Sequence, residues 1–374
     1  MRPRTFIPLD AALALMTARV RPVPARRMAL DDAANAVLAE AVASLSDQPT
    51  TAIALADGWA VSAAHLSGAD PYAPMPLSPT PAFVEIGDPM PEGCDAVLPF
   101  EAVTVIGPFA QATADLAPGR GVLPAGGHAR AGAILGEAGA RIGPGLIAAL
   151  RSARVEGVQA RRARIHVITT GGHGLGRPDT TGALISAMIE GHCGANVEHD
   201  AADGPEDLAR LLASCAADAV FVVGGTGEGP SDQSAAAFAD GGELVFHGVG
   251  LVPGETSGFG LHAGRPMLLL PGRPDAAFAA FLVLGRPLLD ALGEAKRTIQ
   301  SVRPARLARK VVSAPGMAEI RFVRLRGAVA EPLAGPALPL GLLGSIDGYL
   351  FLPPESEGHP EGAEVAVHLV PAAW

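Results

Sequence analysis

The stretch AVFVVGGTGEGPSDQS, Ala219 to Ser234, decides the fold. Ala219–Val223 is a short, continuous apolar run rich in β-branched residues, the pattern of a strand buried on both faces. It runs directly into Gly224, Gly225, Thr226 and Gly227, with Asp232 near the start of an expected helix, Ser231–Ala239. A strand, a glycine loop and a helix in that order make an anion site. Glycines without Cβ atoms let backbone N–H groups converge on a phosphate, the helix N-terminus adds partial positive charge, and a carboxylate can hold Mg²⁺ beside it. A tight turn capped by Ser231 or Asp232 has the same sequence pattern, so the neighbouring segments must decide.

Two further loops have the same form. ITTGGHGLG, Ile168 to Gly176, follows an expected strand, Ile165–Thr169, and leads to an expected helix, Thr181–His192. LLLPGRPDAAF, Leu268 to Phe278, places Pro271, Gly272, Arg273 and Pro274 between a strand, Met267–Leu270, and a helix, Asp275–Leu292. Strands alternating with helices predict a parallel sheet. Three loops at its carboxyl edge predict a ligand pocket there. A linker and a helix, Pro205–Ala216, are expected between the first two strands, and a further strand near Glu243–Phe246.

Outside this α/β unit the composition changes. From Leu9 to about Leu45 the chain is Ala-rich with helical spacing, and Pro22 and Pro24 predict two helices joined by an extended linker. Between Asp47 and Gly126 helical periodicity vanishes, prolines cluster and β-type runs appear at Ala82–Ile86, Ala96–Leu98 and Ala102–Ile106. Helical character returns at Gly143–Ser152, with Pro144 suited to a first turn, and a basic group, Arg161, Arg162 and Arg164, marks a boundary. Beyond Lys296 short β-runs at Ile320–Leu325, Gly348–Leu352 and Glu364–Leu369 alternate with Gly/Pro turns. The expected domains are 1–45 with 127–160 (discontinuous, helical), 46–126 (β-rich, inserted), 161–295 (α/β) and 296–374 (β).

The 374 residues include 46 glycines and 34 prolines, well above average usage, which fits many short elements. A net charge of −10 gives no general attraction to nucleic acid or anionic membranes. Cys94, Cys193 and Cys215 are odd in number and widely spaced, so neither a disulfide framework nor a zinc knuckle is expected and a reducing cytoplasm fits. The apolar stretch Met267–Leu292 is interrupted by Pro271, Arg273, Asp275 and Arg286, so no membrane span is expected.

An ordered series of motifs resembles the molybdopterin molybdenumtransferases, the MoeA and gephyrin E-domain family of molybdenum cofactor biosynthesis. Asp57–Val61 (DGWAV) is similar to the family's DGYAV, Pro91–Val97 to its PxGxDAV, and Ile168–Gly171 to its TGDEL region. Gly224–Asp232 is similar to GGVSVGxxD, Phe246–Gly254 to FxxVxxxPGKP, and Leu270–Pro274 to LPGNP. The resemblance covers almost the whole chain. It implies an elongated subunit with a three-layer molybdopterin-binding α/β domain, an inserted β-rich domain and a C-terminal β-barrel. It further implies a homodimer whose site lies between the α/β domain of one subunit and the β-rich domain of the other. The implied reaction inserts molybdate into adenylated molybdopterin, with Mg²⁺ as cofactor and release of AMP.

Carried over motif by motif, the resemblance makes Asp57 and Asp232 the catalytic and metal-side carboxylates. It gives Thr170, Gly171, Gly224, Gly225, Thr226, Gly227, Pro271, Gly272 and Pro274 to the molybdopterin-type ligand. The chain also departs from the family. Ile86 stands where the family has Thr, His128 for Asp, His173 for Glu, Gly227 for Ser, and Val252 and Glu255 for the two lysines flanking PGKP. His128 and His173 are candidate ligands for a softer metal ion, with neutral drift as the competing reading. The alternative function is a catalytically degenerate paralogue that binds the cofactor as carrier, chaperone or scaffold, with a molybdoenzyme or a molybdopterin adenylyltransferase as partner. The related MogA and MoaB proteins resemble the α/β segment alone. Trp59, Phe322, Cys94, His199, His247 and His262 read as packing or hydrogen-bonded residues.

Overall fold

The computed structural model describes residues 6–106, 109–171, 178–227, 234–238, 242–296, 301–333 and 337–370. Its largest sheet has the strand order Asn196–Ala202, Arg164–Thr170, Ala219–Val223, Arg265–Leu270, Gly258–His262, Gly242–His247. The first four strands run parallel; Gly258–His262 pairs antiparallel with both Arg265–Leu270 and Gly242–His247 and alone runs against the others. The central strand Ala219–Val223 is buried throughout, as its unbroken apolar run requires.

Side chains alternate across this sheet, which fixes two separate cores. On one face Ile165, Val167, Phe221 and Leu268 pack with helices α1 (Leu9–Arg19), α3 (Thr180–Cys193), α5 (Pro274–Ala280) and α6 (Arg286–Gly293). On the other, Ile168, Val220, Val222 and Leu269 meet Leu208 and Leu212 of α4 (Pro205–Ser214) and Phe238. The short helix α2 (Pro144–Ser152) lies before the sheet in sequence. The α/β unit thus has the three layers expected of it. Phe221, Phe259 and Phe281 are among its largest fully buried side chains, each worth about 2–3 kcal/mol of burial.

Several local expectations are corrected. The span 196–202, expected as a linker, is the edge strand of the sheet; its polar sequence NVEHDAA reflects exposure on an edge, which hides the apolar signal. The second N-terminal helix does not form. Arg26–Ala29 and Val37–Leu38 instead pair with Gly157–Arg161, and Met28, Leu30 and Leu38 share a core with Ile142, Leu150 and Val158. Burial of those side chains overrides the helical propensity of the alanines. Helix α1 packs on the α/β core through Leu9, Ala12 and Met16.

The expected helix Asp275–Leu292 runs as α5, a π-helical turn Phe281–Gly285, and α6. Pro287 cannot donate to the Val283 carbonyl, so the ladder reorganises there. By length and composition Pro274–Gly293 could cross a membrane, because the interrupting residues leave an apolar window; 72% of that window is buried inside the protein, as a core helix is.

The inserted segment holds two three-stranded sheets, one with Gly58–Val61 between Phe83–Val84 and Ala96–Leu98, the other with Phe109–Ala112 between Met75–Leu77 and Val103–Ile106. Toward the C-terminus, Val302–Leu307, Val329–Pro332, Ala318–Arg326, Gly348–Leu352 and Glu364–Leu369 close into a five-stranded β-barrel filled by Leu307, Val323, Leu350, Leu352 and Val367. Leu251–Val252 adds to the barrel beside Ala318–Glu319, tethering it to the α/β unit.

Candidate functional site at the carboxyl edge of the parallel sheet

Three parallel strands end side by side at Thr170, Val223 and Leu270, which brings the three sequence-predicted loops together. Gly224 is the pivot. Its N–H donates to Leu270 O at 2.9 Å and its φ is +94°. A Cβ built there would stand 2.5 Å from Thr170 O, so only glycine lets these two strand ends approach. Gly225 also has a positive φ, +60°, and its carbonyl accepts Ser234 N–H at 3.0 Å. Ser234 Oγ donates to Gly224 O at 2.7 Å and lies 3.2 Å from Thr170 Oγ1. The backbone N–H groups of Gly225 and Thr226 take no part in this network among the described residues.

The rest of the loop is held from two sides. Thr226, buried, shares a 2.9 Å hydrogen bond with Thr256 Oγ1, and its carbonyl meets His247 Nε2 at 3.0 Å. Thr181 Oγ1 donates to Gly272 O at 2.8 Å, tying the Pro271–Pro274 turn to the start of α3. Arg273 Nε donates to Asp275 Oδ1 at 2.8 Å, and the buried Asp275 also accepts Leu338 N–H at 2.9 Å. A half-exposed guanidinium is thereby anchored on the Pro271–Pro274 turn, whose Gly272 lies against Gly224.

The start of α3 carries a second polar cluster. Asp179 caps the helix, accepting Gly182 N–H at 2.8 Å, while its other oxygen takes Thr169 Oγ1 and lies 2.8 Å from His199 Nε2. Burial opposes ionisation of Asp179, but the bonds from Thr169, Gly182 and His199 outweigh it and hold the carboxyl below its ordinary value. This cluster orients the exit of the Arg164–Thr170 strand.

The predicted residues thus fall into three groups. Thr170, Gly171, Gly224, Gly225, Thr226, Gly227, Pro271, Gly272 and Pro274 lie on the three loops of one sheet edge. Asp57 is exposed in the β-rich segment, where its Oδ1 accepts Ile86 N–H at 2.8 Å, and His128 is exposed in a turn, its N–H donating to Gln48 O. Asp232 and His173 lie outside the described residues. Ser234, Thr181, Thr256, His247 and Asp275 were missed as site residues; a hydroxyl or carboxylate adjoining a Gly/Pro turn was the available signal.

Mg²⁺ asks for several oxygen ligands around one point. Among the described residues no three His, Cys, Asp or Glu side chains converge in that way, and Asp275 is already taken by Arg273 and Leu338. The described residues do not by themselves fit a Mg²⁺ ion.

Residues 7–153 match the family described as "MoeA N-terminal region (domain I and II)", and residues 177–291 match the "Probable molybdopterin binding domain". The whole chain superimposes on a MoeA molybdopterin biosynthesis protein of Pyrococcus horikoshii with a TM-score of 0.71 at 26% identity, covering 98% of this chain and 99% of that one. The chain is a divergent member of the MoeA family. Among curated relatives, molybdopterin molybdenumtransferase 2 of Mycobacterium tuberculosis is 28% identical over 363 residues, spanning 83% of this chain and 86% of its own length. Molybdopterin molybdenumtransferase of Haemophilus influenzae is 26% identical over 317 residues, spanning 77% and 78%. The three-layer α/β unit, the β-rich insertion and the closed barrel are therefore the MoeA fold, as the ordered motifs implied.

Proposed function

We propose that this MoeA-family chain acts in molybdenum cofactor biosynthesis, binding adenylated molybdopterin across the three loops and inserting molybdate at its dithiolene, with water hydrolysing the adenylate off as AMP. The observation that carries the reading is the pinned convergence at Gly224, which leaves the Gly225 and Thr226 N–H groups outside the loop's own hydrogen bonds and sets Gly272, next to the anchored Arg273, against Gly224. Backbone donors and a planar cation at strand ends suit an anionic phosphate or pterin ligand. In this reading the subunit is a homodimer. Asp232 and the partner subunit's Asp57 are the carboxylates available to Mg²⁺ and molybdate, and the product passes to a molybdoenzyme.

A second reading, a cofactor-binding paralogue without turnover, is favoured by Glu255. Its carboxylate stands where the family carries lysine and accepts Gly254 N–H at 2.7 Å beside the Thr226–Thr256 contact. Incubation with adenylated molybdopterin, Mg²⁺ and molybdate separates the two. AMP release with activation of an apo-molybdoenzyme establishes transfer. Binding without AMP release establishes the paralogue, and absence of binding refutes both.

A further inference from the structure

The C-terminal barrel carries a cleft of its own, built from residues that belong to none of the three loops. Past the strand Val302–Leu307 the chain turns through residues 308–310 before Val311–Val312 pairs with Gly358–His359. This turn forms one wall of a cavity of about 910 Å³. Arg321, Glu331 and the apolar residues Pro332, Leu333 and Leu342 line the rest. The volume is that of a site for a small organic ligand, and barrel mouths are a common place for one.

The charge of the lining runs against that of the protein. The chain has a net charge of −10, yet the cavity presents Arg309, Lys310 and Arg321 against one carboxylate, Glu331. That carboxylate is taken up by Arg326 Nε at 2.9 Å. Arg321 pairs with Glu319, so the uncancelled charge is that of Arg309 and Lys310. Arg309 Nη2 donates to the Pro332 carbonyl, a neutral acceptor that fixes the guanidinium at the wall and leaves its charge intact. Of the chain's two lysines, Lys296 lies 3.6 Å from Glu137, whereas Lys310 has no partner among the described residues.

Arg321 adds an unused donor. In the strand Ala318–Arg326, Ile320 and Phe322 join the α/β core, while alternation puts Arg321 on the face of Val323, which fills the barrel. Its side chain is 17% exposed, and its Nε is buried without a hydrogen-bond partner. Such a donor is costly to leave unmade.

We propose that this barrel mouth binds a small organic phosphate, a phosphate monoester with an apolar ester group. The Lys310 ammonium and the fixed Arg309 fork match the phosphoryl oxygens, one as a point charge and the other as a planar pair of donors. The apolar ester group lies against Leu333 and Leu342. The site is separate from the three loops and acts independently of the transfer reaction.

Equilibrium dialysis of the full-length protein against phenyl phosphate, at about 0.02 M salt where charges are little screened, tests this. Saturable binding is expected, with inorganic phosphate competing at least about threefold more weakly because it buries no apolar surface. Lys310→Glu, at an exposed position, should weaken phenyl phosphate about tenfold by reversing a charge beside the phosphoryl group, and Arg309→Gln should weaken it as well. Gly224→Ala, which disturbs the three loops, should leave this binding unchanged. The proposal is overturned by no saturable binding up to about 10 mM, by an affinity that Lys310→Glu does not alter, or by inorganic phosphate binding as tightly as the ester. Loss of binding in Gly224→Ala also overturns it and moves the phosphate to the three loops.

Discussion

Arg141 and Asp290 join two parts of the chain far apart in sequence: Arg141 Nη2 donates to Asp290 Oδ1 at 2.8 Å, and both side chains are largely buried. Arg141 also donates to Asn35 O, so the pair clamps the segment around Ile142 and Leu150 onto helix α6. The same Asp290 oxygen lies 2.8 Å from His192 Nε2 in the last turn of α3. One carboxylate therefore organises two helices and the strand-built core beside them.

The first prediction concerns pH. Burial, with Arg141 and Arg286 close by, lowers His192 below the usual imidazole value against the pull of Asp290. The unfolded chain then binds a proton that the folded one refuses, so this contribution to stability is complete above about pH 6.5. It is lost as pH falls below that value toward the folded one, by up to about 1.4 kcal/mol per pH unit in that window. Urea midpoints measured at pH 7.5 and 5.5 should fall in the wild type, and His192→Gln should flatten the difference. Equal slopes in both proteins would remove His192 from the account.

Asp179 gives a second titration in a lower window. Its carboxyl is depressed in the folded state, so its contribution is present above the unfolded value of about 3.9 and disappears as pH falls through the folded value. Asp179→Ala removes the α3 cap and leaves Thr169 and His199 without their shared acceptor. The expected loss is about 1–2 kcal/mol at pH 7 in equilibrium unfolding, and it should shrink as pH is lowered from the unfolded value through the depressed folded one, where the wild-type carboxylate itself becomes protonated.

Gly224→Ala tests the pocket and the subunit arrangement together. The added methyl meets Thr170 O at 2.5 Å on a backbone with φ +94°, which costs about 2 kcal/mol or more and separates the two strand ends. Adenylated molybdopterin binding should fall at least about tenfold, equivalent to about 1.4 kcal/mol. Asp57→Asn keeps an acceptor for Ile86 N–H and should leave stability nearly unchanged while abolishing transfer. If the site is shared between subunits, dimers mixed from the two inactive variants recover part of the activity. Mixed dimers as inactive as their parents would place Asp57 outside the shared site.

How much of this was legible depended on where each signal came from. Ala219–Val223 and the helix Pro144–Ser152 were readable because burial on both faces and an N-terminal proline are local properties. The edge strand Asn196–Ala202 was not, since its pairing with Arg164–Thr170 comes from a partner more than twenty residues away and its own side chains face water. Arg26–Ala29 was hidden for the same reason, its partner being Gly157–Arg161. At the site the glycines announced the loops. Their anchors did not show: His247 reaches the Thr226 carbonyl, and Asp275 links Arg273 to Leu338, only through the fold.

Glu255 offers the sharpest chemical test of the loop set. Its carboxylate folds back on Gly254 N–H next to Thr256, whose hydroxyl holds Thr226. A negative charge at this position opposes an anionic ligand on the neighbouring loop, whereas an ammonium group would attract it. Glu255→Lys gives up one backbone hydrogen bond, about 1 kcal/mol of stability. It should tighten binding of adenylated molybdopterin about five- to tenfold at low ionic strength, an effect of about 1 kcal/mol that shrinks as salt screens the pair. Titration calorimetry of both proteins at 0.02 M and 0.3 M salt, values on either side of the range where screening sets in, reads this directly. An affinity unchanged at both concentrations would separate residue 255 from the ligand and shift the anion-binding role to Arg273 and the Gly225–Thr226 backbone alone.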